Sequence, residues 1–75
     1  MPKLPRDLSG QELVKILRKL GYELDHQTGS HMILRQNESP FRRLTVPNHK
    51  TISPGTLRAI IREAGLSLEE FLKLI

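Results

Sequence analysis

His31 is the residue in this 75-residue chain whose setting points most directly to chemistry. It follows Gly29 and Ser30, a pair that bends a backbone sharply and aims the side chain after it. It also opens the apolar run Met32-Ile33-Leu34. Imidazole is the side chain whose unperturbed titration falls near neutral pH. Placed beside a phosphodiester, one histidine supplies general acid–base help worth roughly 10²–10⁴ in rate. RNA brings its own nucleophile, the 2′-hydroxyl next to each phosphate. A protein then has to remove that proton, protonate the leaving 5′-oxygen, and stabilise the charged phosphorane with basic groups. This chemistry needs no metal, thiol or cofactor.

The other polar candidates have competing readings. Gly29 is the turn itself, and Ser30 makes either a turn hydrogen bond or a phosphate contact. His49 lies in Pro47-Asn48-His49-Lys50. It is an exposed loop residue, or a second phosphate contact beside Lys50. His26 shares the strand phase of Tyr22 and Leu24, which predicts a partly buried structural histidine. Arg42 and Arg43 are adjacent, so along a strand only one can join a given patch. Arg58 and Arg62, one helical turn apart, form a basic ridge for RNA or a solvated face. Tyr22, Phe41 and Phe71 are the only aromatics, too few to interleave as the stacking platform of single-strand binders.

Composition narrows the field. The chain is long enough for one domain over residues 1–75 and too short for a deep substrate cavity, since small domains bury only about 60% of their unfolded surface. Any substrate is therefore met on the surface. Twelve Lys+Arg against eight Asp+Glu give a net charge of +4, which suits a polyanionic partner or plain solubility. The basic excess concentrates in residues 1–21 and 31–62. There is no cysteine, which excludes disulfide scaffolds, thiolate metal sites and cysteine nucleophiles. The three histidines lack partners at metal-ligand spacing, so neither metal nor cofactor is expected. No apolar run approaches the ~20 residues of a membrane span, and no signal peptide is visible. A soluble cytoplasmic protein is expected.

The elements that must position these residues follow from periodicity and caps. Met1–Leu8, with Pro2 and Pro5, reads as an extended lead-in. Ser9 and Glu12 form a capping box ahead of an apolar stripe of Leu13, Ile16, Leu17 and Leu20, which Gly21 ends. Tyr22 onward alternates as a strand, Thr28-Gly29 turns the chain, and Ser30–Arg35 forms a second strand. After the polar loop Gln36–Pro40, Arg43–Val46 gives a third strand closed by Pro47. Ser53-Pro54 starts a second helix with Leu57, Ile60, Ile61 and Ala64 inward and Gly65 at its end. Ser67-Leu68-Glu69-Glu70 is another capping box, opening a short helix expected to turn Leu68, Phe71, Leu72 and Ile75 inward. The predicted class is α+β, in the order α-β-β-β-α. It has a three-stranded antiparallel sheet, helices on one face and a short C-terminal helix. The double-stranded-RNA-binding fold has this order, with a helix N-terminus and basic residues laid on phosphates.

Gly21-Tyr22 after the first helix, then Gly29-Ser30-His31, resembles the opening of HicA-type toxins. Val46-Pro47-Asn48-His49, Pro54-Gly55-Thr56-Leu57-Arg58-Ala59-Ile60-Ile61, Ala64-Gly65-Leu66-Ser67 and Glu70-Phe71 continue the likeness. It runs from about Ser9 to Phe71. The resemblance implies the toxin of a type II toxin–antitoxin system, a metal-independent endoribonuclease that cleaves mRNA and arrests translation. His31 would be the single catalytic histidine, with Gly29 and Ser30 its turn. His49 matches a recurrent position to which no catalytic role is carried. Gly29, Ser30, His49, Lys50 and Arg58 are the expected RNA contacts. A separate HicB-type antitoxin would cover the histidine, and the free toxin would be a monomer. Its charge should complement the basic face, which speeds capture. The alternatives are a non-catalytic double-stranded-RNA-binding module and a small protein-interaction domain. Only RNA binding through phosphates should weaken steeply with salt.

Overall fold

Ser9 begins the first helix as its sequence predicts. Its hydroxyl accepts from the Glu12 amide at 3.1 Å, and Glu12 Oε1 accepts from the Ser9 amide at 3.1 Å. This is the start of α1 (Gly10–Arg18) in a computed structural model that describes residues 7–75. Of the lead-in expected over residues 1–8, residues 1–6 lie outside the described residues. There follow β1 (Tyr22–Thr28), β2 (His31–Gln36), β3 (Arg43–Pro47), α2 (Pro54–Glu63) and α3 (Leu68–Leu72). Ser53 caps α2 with Pro54 at its first turn, and Ser67 and Glu70 repeat the reciprocal capping box at α3. Each such cap contributes about 0.5–2 kcal/mol.

The Ser9 amide and hydroxyl hold the Glu12 carboxyl below its ordinary 4.5. Ser67 does the same to Glu70. A carboxylate lowered by folding contributes stability that is present above its unfolded pKa and lost as pH falls through the folded one. Thermal stability should therefore decline on acidification below about pH 4.5. Melts of a Glu12→Gln, Glu70→Gln variant, which keeps the acceptor oxygens but cannot titrate, should show a shallower decline. An equal decline in both proteins would place the acid sensitivity elsewhere.

The strands form an antiparallel meander in the order β1-β2-β3. Met32 and Leu34 of β2 pair with Val46 and Leu44 of β3, and all four are buried. Leu13 and Leu17 of α1, Leu57 of α2 and Phe71 of α3 close over them. The predicted α+β class and one-sided helix layer are therefore present, and the element order is compatible with the double-stranded-RNA-binding arrangement. Tyr22 is only 1% exposed, and its hydroxyl is buried without a hydrogen-bond partner. Burial pushes its phenol pKa up, partly offset by the nearby Arg42 charge.

Three expectations are corrected. A β-bulge between Leu24 and His26 inserts Asp25 as an extra residue, so the alternation changes phase there. Gln27, opposite Met32, takes the helix-facing side. His26, opposite Ile33, turns to the open face; it is exposed rather than partly buried. Leu24 is 42% exposed because β1 is an edge strand, where the helices leave its side chain partly uncovered. At the C-terminus α3 stops at Leu72, so the helical spacing does not carry Ile75 inward. Ile75 is 61% exposed, and Leu74 packs against the core instead. Lys19 Nζ donates to the Leu74 carbonyl at 2.6 Å, tying this end to α1.

Candidate active site

The residues around His31 are gathered by backbone geometry. Thr28 pairs with His31 across a two-residue turn. Gly29 has φ +57°, while Ser30 is not among the positive-φ residues. Left-handed geometry at the first turn position alone is the type II′ signature, which glycine supplies without steric cost. His31 is thus the first residue of β2, exposed on the face away from the helices.

The segment after β3 is drawn against this turn. The Asn48 amide donates to the Ser30 carbonyl at 2.6 Å, and the Gly10 amide donates to the His49 carbonyl at 2.9 Å. The Ile52 amide donates to the Leu8 carbonyl at 2.9 Å. Gly10 permits this approach, because a Cβ there would lie 2.1 Å from the Pro47 carbonyl oxygen.

These ties put His31 and His49 on one open cleft of about 460 Å³, with Thr45, Pro47, Thr51, Ser53 and Thr56. The start of α2 forms one wall. Ser53 Oγ donates to Thr56 Oγ1 at 2.9 Å and accepts from the Thr56 amide at 3.4 Å. The wall thus combines hydroxyls with the positive end of a ten-residue helix dipole. Two imidazoles, four hydroxyls and a helix N-terminus are a lining that suits an anion.

The remaining expected contacts are spread around this cleft. Gly29 and Ser30 form the turn at its edge. Lys50 lines a neighbouring depression with Ser9, Gln11 and Asn48, which His49 also borders. Arg58 lies apart, beside Ile61, Arg62, Leu66 and Leu68. Arg42 reaches the C-terminal end of α2, where Nη1 donates to the Glu63 carbonyl at 3.1 Å and complements the helix dipole. Only Arg43 of the adjacent pair stays on the open sheet face, in line with Arg35. Among the described residues no group of three His, Asp or Glu is arranged to hold a metal ion.

The element order points to the His49-Lys50 loop and the Ser53-Pro54 helix start as phosphate contacts, but does not bring Thr45, Thr51 or Thr56 to the site. Thr45 was accessible from strand phase, because it alternates with buried Leu44 and Val46. A second feature was hidden by the bulge. His26 Nδ1 lies 2.9 Å from Asp25 Oδ2 on the open sheet face. The hydrogen bond from His26, followed by the charges of His26, Arg43 and Arg35, holds the Asp25 carboxyl below its ordinary range.

No helix among the described residues is long and apolar enough to cross a membrane. No curated protein matches the chain. Residues 10–66 match the family described as the HicA toxin of bacterial toxin-antitoxin. The match begins at the glycine that admits the Pro47–His49 segment and runs beyond α2, so it contains the hairpin turn and every residue lining the cleft. The chain therefore belongs to the HicA toxin family, the toxin side of a pair whose other member is an antitoxin.

Proposed function

We propose that this protein is an endoribonuclease that cleaves mRNA without a metal, with His31 moving a proton at the scissile phosphate. The observation that carries the reading is the exposed His31 at the rim of a cleft formed by His49, hydroxyls and the start of α2. An RNA strand laid over the open sheet face would set one phosphate above His31 and a neighbouring one in the cleft. The 2′-oxygen attacks phosphorus as its proton is removed, and the bond to the 5′-oxygen breaks as that oxygen gains a proton. The products are a 2′,3′-cyclic phosphate and a 5′-hydroxyl end. His49, Ser53 and Thr56 hold phosphate oxygens, and Ser30, in the turn before His31, adds a further phosphate contact. Lys50 adds charge at the margin, while Arg58 meets backbone further along. A HicB-type antitoxin, a separate chain, would occlude this face, and the free toxin would act as a monomer in the cytoplasm.

The test is incubation of the purified protein with structured RNA in excess chelator. Fragments ending in cyclic phosphate are expected. Salt-sensitive binding without fragments would instead establish a double-stranded-RNA-binding module, which the element order accommodates.

A further inference from the structure

The proposed cleavage has two proton transfers on opposite sides of phosphorus. The attacking and leaving oxygens lie roughly in line, so a single imidazole does not reach both in one geometry. A second proton-transfer group is needed within hydrogen-bond reach, about 2.6–3.2 Å, of the other oxygen. His49 shares the cleft on the β3 side of His31. The other side of His31 holds a different candidate.

Beyond the bulge, Thr28 stands opposite His31 and His26 stands opposite Ile33. His26 is therefore the diagonal neighbour of His31 on the open face, and such neighbours lie roughly 7–8 Å apart. That gap accommodates a phosphate with one imidazole at each end. Asp25, the bulged residue, faces His26 Nδ1 at 2.9 Å. A carboxylate on one ring nitrogen fixes the ring and leaves Nε2 as the working atom. The charged and titratable groups around this pair are Glu23 and Asp25 from β1, His31 and Arg35 from β2, and Arg43 from β3. The helices cover the opposite face of the sheet. Arg35 and Arg43 give the open face the positive charge that an RNA strand requires.

Resting on the ribonuclease reading, we infer that His26, oriented by Asp25, is a second catalytic residue. It moves whichever proton His31 does not. One neutral imidazole takes the 2′-proton as the O2′–P bond forms. The other, protonated, gives its proton to the 5′-oxygen as the P–O5′ bond breaks. The pair ends with its protonation exchanged, so no further reactant is consumed.

The experiment measures kcat, KM and their pH dependence on a structured RNA for the full-length wild type, His26→Ala, Asp25→Asn and His49→Ala. His26→Ala should lose about 10²–10⁴ in kcat with KM little changed, and one limb of the bell-shaped pH profile should flatten. Asp25→Asn should lose less and keep both limbs, because the ring remains but is less well held. His49→Ala should change KM and keep both limbs. His26 is exposed, so melting temperatures should match the wild type and separate a catalytic defect from unfolding. A wild-type rate with an intact bell in His26→Ala would overturn the inference, as would a flattened limb in His49→Ala alone. Wild-type protein that cleaves no RNA would instead overturn the ribonuclease reading, and this inference with it.

Discussion

His31→Ala is expected to abolish RNA cleavage, by at least the roughly 10²–10⁴ that general acid–base catalysis contributes, and with it growth arrest on expression. The fold should be indifferent. His31 is exposed and its strand pairing with Thr28 and Pro47 is made by the backbone, so alanine keeps those bonds. Surface changes of this kind stay within about 0.5 kcal/mol. The check pairs a cleavage assay with a denaturant midpoint. Loss of activity at an unchanged midpoint supports catalysis, whereas a midpoint that collapses makes His31 a structural residue. Equal cleavage by both proteins would move the chemistry to another side chain or to a contaminant.

Gly10→Ala should be the most damaging of the glycine-to-alanine changes, since only there would the added carbon meet backbone. Helix propensity argues the other way, favouring alanine over glycine by about 1 kcal/mol within a helix. The added carbon, however, would sit 2.1 Å from the Pro47 carbonyl oxygen and 3.1 Å from Asn48 Cα. Both are backbone and cannot swing aside. Overpacking of this type costs about 1–3 kcal/mol or more, so destabilisation wins. The segment displaced is the one carrying His49, whose carbonyl accepts from Gly10. Cleavage should therefore fall even under conditions where the variant stays folded. A raised denaturant midpoint would show that propensity outweighs the contact and that the loop has room to move.

The features legible beforehand are those written locally. Ser9 with Glu12, Ser53 with Pro54, and Ser67 with Glu70 are short-range hydrogen-bond grammars, so the helix starts follow from a few residues each. The positive φ at Gly29 likewise belongs to a two-residue turn. What escaped is decided at a distance. The bulge at Asp25 leaves each side of β1 looking regular, yet it reverses the phase between them and sends His26 to the face of His31. Gly10 reads as an ordinary first-turn residue until the Pro47 carbonyl is brought against it. Arg42 looks like a surface cation, but its destination is the end of a helix 21 residues away. In the candidate site, the histidine and its turn were accessible from sequence. The full hydroxyl wall was not, because bringing Ser53 and Thr56 to one cleft with His31 and Thr45 depends on how α2 is docked.

The sealed ring of Tyr22 also makes the protein its own optical gauge. It is the sole tyrosine, and there is no tryptophan. Near-ultraviolet dichroism and intrinsic emission therefore come essentially from one buried chromophore. The His31 cleft contains no such group, so occupying it leaves that signal almost untouched, while melting transforms it. A toxin bleached of activity but retaining its tyrosine dichroism has been disarmed at the surface. One that loses both has come apart.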